Sequence, residues 1–126
     1  MNFRQSILIL VFLLLAPSAY SSTVVNNDSL SNESDGKNWL GFGKTYSEKR
    51  FSPLTEVNSD NVGRLGLQWV LDLPTDRSLL STPLVVDGVM FFTGSYSHTR
   101  AVNAKTGEVI WTFDPKVREI AGERLR

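Results

Sequence analysis

The chain has 126 residues, with 13 basic and 13 acidic side chains, a formal net charge of zero and no cysteine. A neutral balance excludes a nucleic-acid or membrane-surface partner held by bulk charge. The lack of thiols excludes disulfide staples and a lipid-acylated N-terminal cysteine.

In chain order, Arg4 precedes an apolar run from Ile7 to Ala16, followed by Pro17 and the small residues Ser18, Ala19, Ser21 and Ser22. The run is too short to span a bilayer as a helix, and its flanks are those of a secretory signal peptide. Residues 1–21 are expected to be a removed leader, cleaved after Ala19 or Ser21. The exported product is expected to have no stable membrane anchor. Residues 22–37 are rich in Ser, Asn and Asp with few apolar side chains. That composition buries too little surface to offset the entropy of ordering, so a flexible leader to the domain is expected there.

Order is expected from Asn38-Trp39-Leu40 onward, because aromatics and Leu recur through Phe42, Tyr46, Phe51 and Leu54. Pro53 stops any continuous helix. Asn58 or Ser59 can cap a short helical turn over Asp60 to Leu65. From Gly66 to Asp72, alternation places Leu67, Trp69 and Leu71 on one face, the pattern of a strand that Pro74 ends. Asp87-Gly88, between Leu84-Val85-Val86 and Val89 to Thr93, signals a two-residue hairpin turn. Two more strands are expected near 99–103 and 108–113, joined by a reversal in which Gly107 supplies a positive φ.

Four strands joined in order by short loops form one antiparallel meander, the unit of a β-propeller blade. The expected fold class is all-β, with a propeller that is incomplete in this chain. A blade has two apolar faces to cover, so it needs neighbours, and the sequence reads as the first part of a longer protein. Within the blade, Trp111 is placed to lay its indole over the peptide of the Gly107 turn. Small Ala101 leaves room for a neighbouring layer. These three residues are the structural candidates. The mixed charges of 118–126 read as a solvated connector.

Residues that could carry chemistry are few. His98 is the only histidine, stands between Ser97 and Thr99, and reads as a surface residue without metal-ligand partners. Asp72, Asp76 and Asp87 lack the spacing of a Ca²⁺ loop. Gly41-Phe42-Gly43 lacks the third glycine of a nucleotide fingerprint. No catalytic triad, paired carboxylates or phosphate loop can be assembled.

Asn38-Trp39 with Gly41 and Gly43, then Arg50-Phe51-Ser52-Pro53-Leu54, Val57, Asn61-Val62, Leu65 and Trp69 form a spaced signature. It resembles the N-terminal region of pyrroloquinoline-quinone (PQQ)-dependent alcohol dehydrogenases. Thr82 to Met90, Thr93 to Ser97 and the run from Ala101 to Trp111 resemble the first blade of the same periplasmic quinoproteins, with its tryptophan-docking motif. The resemblance spans 38–117. It implies an eight-bladed propeller carrying PQQ and Ca²⁺ near its axis, with oxidoreductase activity on a small alcohol and electrons leaving to a cytochrome c. The family's catalytic and metal-binding residues would fall beyond Arg126, so none is assigned here, and the chain is expected to be inactive alone.

Two departures accompany the resemblance. Where the family has Arg-Gly-Leu/Val-Glu-Ala-Thr-Pro, this chain has Arg77-Ser78-Leu79-Leu80-Ser81-Thr82-Pro83. Leu80 therefore takes the place of the Glu that hydrogen-bonds the quinone. An alkyl group neither donates nor accepts, which would leave a cofactor edge unpaired at a cost of about 1–3 kcal/mol. Asn103 replaces the motif's usual Asp but keeps an acceptor for the turn. The alternative reading from these departures is a non-enzymatic propeller scaffold or binding module built on the same docking repeat.

Overall fold

The structure is a computed structural model and describes residues 22–125. The leader expected over 1–21 lies outside the described residues. Four strands form one antiparallel sheet in the order β1-β2-β3-β4: Leu84–Val86, Val89–Thr93, Thr99–Asn103 and Val109–Phe113. This is the expected meander. Asp87 and Gly88 both take positive φ (49° and 77°), the backbone that a two-residue primed turn requires.

The last hairpin departs from even pairing. Ala101 faces Trp111, but Val102 faces Val109, so Ile110 is the extra residue of a bulge and β4 begins at Val109 rather than 108. Its loop is organised by Asn103, whose Oδ1 accepts from the backbone N–H groups of Lys105 (2.9 Å) and Thr106 (3.1 Å). Gly107 closes it, donating its N–H to the Asn103 carbonyl at 2.9 Å. The acceptor expected of Asn103 is thus in use.

Alternation along the strands divides the sheet into two faces. Met90, Phe92, Arg100 and Val102 lie on one; Leu84, Phe91, Ala101, Trp111 and Phe113 lie on the other. The segment from Trp69 to Pro83 crosses the first face and leaves an apolar groove of about 300 Å³ against Met90 and Phe92. Among the described residues, no segment crosses the second face in this way. Trp111 and Phe113 remain 44% and 58% exposed there, although Ala101, enclosed between strands, is fully buried.

The strand expected over Gly66 to Asp72 is not formed: those residues have no ladder partner. The alternation itself is real further along, since Trp69, Leu71 and Leu73 turn inward while Val70 and Asp72 face solvent. An extended backbone becomes a strand only when another backbone accepts its N–H groups, and no described segment lies beside this one. The helical turn expected over Asp60 to Leu65 is a shorter 3₁₀ turn, Val62–Arg64. The Asn58 carbonyl accepts from Asn61 and Val62 just ahead of it.

The Ser/Asn-rich stretch is more structured than its composition suggests. Helix α1, Asn27–Ser31, starts with a capping box in which Asn26 and Ser29 satisfy each other's backbone N–H. The Thr23 N–H and hydroxyl donate to the Asp87 carboxylate at 2.7 and 2.6 Å. Asn38 accepts from the Asp87 N–H, and Trp39 exchanges two backbone bonds with Val85 at the free edge of β1. Local capping and side-chain acceptors order this stretch where apolar burial could not. After the sheet comes helix α2, Val117–Ala121.

Candidate functional site

Strand polarity gives the blade two chemically different ends. The Asp87-Gly88 and Ala104 to Gly107 turns lie at one; the segment before β1, the β2–β3 connection and the residues after β4 lie at the other.

At the turn end, the docked indole is not the expected one. Trp69, not Trp111, covers Gly107: a β-carbon on Gly107 would fall 2.6 Å from Cε3 of Trp69. The Trp69 Nε1–H also donates to the Ala104 carbonyl at 3.1 Å, which fixes the ring over the turn. Gly107 has φ of 77°, so it serves both as the left-handed turn residue and as the gap that admits the ring. The expectation that Trp111 covers its own turn is corrected. Trp111 stands in the ladder opposite Ala101, on the uncovered face, and meets Phe91 with ring centroids 6.1 Å apart at 50°. A side chain perpendicular to the sheet at that rung points toward a neighbouring layer, away from the turn at the strand's own end.

At the opposite end, Leu80 is 93% exposed at the rim of a groove of about 260 Å³, shared with Ser78, Ser81, Thr93, Gly94 and Ser95. Two of the groove's serine hydroxyls are engaged by backbone groups. Ser81 Oγ donates to the Thr93 carbonyl (2.8 Å) and accepts from its N–H (3.1 Å), while Ser95 Oγ accepts from the Arg77 N–H (2.9 Å). Below the groove lies a buried ion pair that sequence reasoning missed, Asp76 with Arg100 at 2.7 Å. Its signal was available: Arg100 is a charge at a position of β3 that shares its face with Phe92 and Val102.

His98 is more enclosed than a surface residue. Its Nε2 lies 3.0 Å from Asp114, with only 18% of the side chain exposed. Asp114 in turn accepts from the Lys116 N–H, the main reason its carboxyl is held below the ordinary carboxylate range. Asp87 is also lowered, first by the Thr23 hydroxyl and then by the Thr23 N–H. Asp72, Asp76 and Asp87 are not brought together, and no group of three or more potential metal ligands exists among the described residues. No helix among them is long and apolar enough to cross a membrane.

Comparison with known proteins places these features in context. Residues 39–125 match the model of the PQQ-type β-propeller domain of glucose, ethanol and alcohol dehydrogenases. The chain is 52% identical over 80 residues to the dehydrogenase subunit of a quinone-linked alcohol dehydrogenase from Komagataeibacter europaeus, covering 64% of this chain and 11% of that protein. It is 39% identical over 125 residues to the quinohemoprotein alcohol dehydrogenase ADH-IIG of Pseudomonas putida, covering 94% and 17%. The crystal structure of quinohemoprotein alcohol dehydrogenase from Comamonas testosteroni superposes with a TM-score of 0.70 at 36% identity, over 78% of this chain and 15% of that one. The chain therefore spans between about a tenth and a sixth of the length of these relatives.

Proposed function

Because the chain belongs to the PQQ-type β-propeller family of glucose, ethanol and alcohol dehydrogenases, we propose that it supplies the N-terminal segment and first blade of a periplasmic, PQQ-dependent dehydrogenase. That enzyme oxidises a small alcohol and passes the electrons to a cytochrome c. The observation that carries the proposal is the seam at Gly107, where an indole from ahead of the sheet docks on the blade's outermost hairpin while, among the described residues, Trp111 and Phe113 on the opposite face stay exposed. One face received and one face offered is the arrangement of a unit in a closed ring. Relatives whose names join an alcohol to a haem or cytochrome c support the electron acceptor.

The residues present do not by themselves fit either cofactor. PQQ is an anionic quinone whose edges need donors, yet the groove at position 80 presents Leu80, no charged side chain, and Ser81 and Ser95 hydroxyls bonded to backbone groups. Ca²⁺ needs six or more oxygen ligands, and the described residues hold no carboxylate cluster. The proposal accordingly assigns the Ca²⁺ site, the alcohol-activating base and the polar groups that hold PQQ to polypeptide outside these 126 residues, and leaves position 80 as an apolar contact at the quinone's edge.

The test has two arms. The purified chain with PQQ, Ca²⁺ and ethanol should reduce no dye; dye reduction would overturn the assignment of the reactive parts elsewhere. In the second arm, the chain replaces the matching segment of the Comamonas testosteroni enzyme. The chimera should assemble, bind PQQ and oxidise ethanol, whereas a chimera that fails to assemble removes the blade reading. Leu80 favours a second reading, a non-enzymatic scaffold, and a chimera that assembles but takes up no PQQ would select it.

A further inference from the structure

We propose that the buried Asp76–Arg100 pair is a positioning device that clasps segment 76–81 to the β2–β3 connection and so fixes residue 80 at the groove rim. That residue 80 faces a ligand rests on the dehydrogenase reading; the clasp itself does not.

The side chains of Asp76 and Arg100 are only 2% and 8% exposed, with Oδ2 and Nη2 2.7 Å apart. The contact is an ion pair without the alignment of a hydrogen bond, and Arg100 Nη1 has no acceptor among the described residues. Removing two ions from water costs several kcal/mol for each, so an incompletely satisfied pair is a poor source of stability. What it provides is direction. While Oδ2 faces Arg100 on β3, Asp76 Oδ1 accepts the Ser95 N–H at 2.5 Å. Gly94 allows that approach, because any side chain there would collide with Asp76 Oδ1. The neighbouring Arg77 N–H donates to Ser95 Oγ, and five residues beyond Asp76 the Ser81 hydroxyl bridges both backbone groups of Thr93.

The segment is therefore pinned at both ends to residues 93–95, and Leu79-Leu80 bridges the pins. Leu80 is held almost wholly in water although its neighbours Leu79 and Ser81 line an apolar groove with Met90 and Phe92. Hydrophobic burial alone would draw Leu80 inward. A tether on each side opposes that collapse, and the Asp76–Arg100 pair anchors the first tether to the sheet.

The chain has no cysteine, so Leu80→Cys gives a single attachment site for a nitroxide label. The clasp is removed in Asp76→Asn, which keeps an acceptor for the Ser95 N–H but leaves Arg100 unpaired. It is also removed in the double variant Asp76→Ala with Arg100→Met, which takes out both charges and stays testable if the single variant fails to fold. In the full chain, the double variant should free the label and speed amide hydrogen exchange at Arg77 and Ser95 by at least about tenfold, with β2 and β3 amides changing less than about twofold. Three results overturn the proposal: a label already mobile in the parent, an unchanged label and exchange in the double variant, or loss of β2 and β3 protection together with the segment's. None of these measurements involves quinone or alcohol. A failed chimera therefore leaves the clasp standing, and a failed clasp leaves the dehydrogenase reading standing.

Discussion

Trp69 and Trp111 carry the same side chain at the two faces of one sheet, and their surroundings could hardly differ more. Trp69 lies across the Gly107 peptide with its N–H bonded to Ala104. Trp111 leans on Phe91 and is 44% exposed. Each has one polar and one apolar immediate neighbour in sequence, so local composition does not separate them. The difference is supplied by what each ring can reach: a glycine turn presented edge-on for Trp69, and open space for Trp111. An indole stabilises a propeller where another sheet or segment offers it a bare peptide, which makes docking a property of a seam between units.

The largest effect expected from this contrast is at the occupied seam. Trp69→Ala should destabilise the chain by about 3 kcal/mol, as for loss of a packed indole, while Trp111→Ala should cost under about 1 kcal/mol here. Denaturant melts of the two variants measure the difference directly. In a complete propeller the same Trp111→Ala change should rise to about 3–5 kcal/mol. Equal effects in the isolated chain would erase the distinction between an occupied and an open face.

Gly107→Ala comes next. A methyl group at φ of 77° costs roughly 1–2 kcal/mol from backbone strain alone, and here it would also push against the Trp69 ring. Because both changes strike one seam, Gly107→Ala and Trp69→Ala should be markedly non-additive in a double-mutant cycle. Additive losses would mean that ring and turn do not depend on each other.

The smallest effect separates the seam from the staple at the same end. Asp87 has its folded pKa lowered by Thr23, so its contribution is fully present above the unfolded value near about 4 and is lost as pH falls through the folded value. The docking contacts of Trp69, with the Ala104 carbonyl and the Gly107 peptide, involve no carboxylate. Acidification followed by NMR should therefore release the Thr23 amide first while the Trp69 indole N–H stays protected; simultaneous release would contradict the independence of the two contacts.

Much of the blade was readable without coordinates. Asp87-Gly88 and the Ala104 to Gly107 reversal specify turns by backbone chemistry, and the apolar runs between them are the right length to pair. Ordered strands with short loops then leave little choice but a meander. Less legible were the features that depend on a partner remote in sequence. Trp69 bonds a carbonyl 35 residues away, and Asp76 meets Arg100 across the sheet. The alternation over 66–72 was visible, but whether it became a strand depended on a neighbouring backbone.

For this protein, then, local chemistry determined the four strands, their turns and their order, because each turn requires particular φ values and each strand a particular side-chain period. The signature over 38–69 and the docking motif also carried the family, which the match over 39–125 bears out. Tertiary structure alone decided which tryptophan docks, which face of the sheet is covered, how the Asn-rich stretch is stapled to Asp87, and how residue 80 is held in solvent. Those outcomes turn on contacts between segments tens of residues apart, where packing and desolvation select among arrangements that local propensity leaves equal.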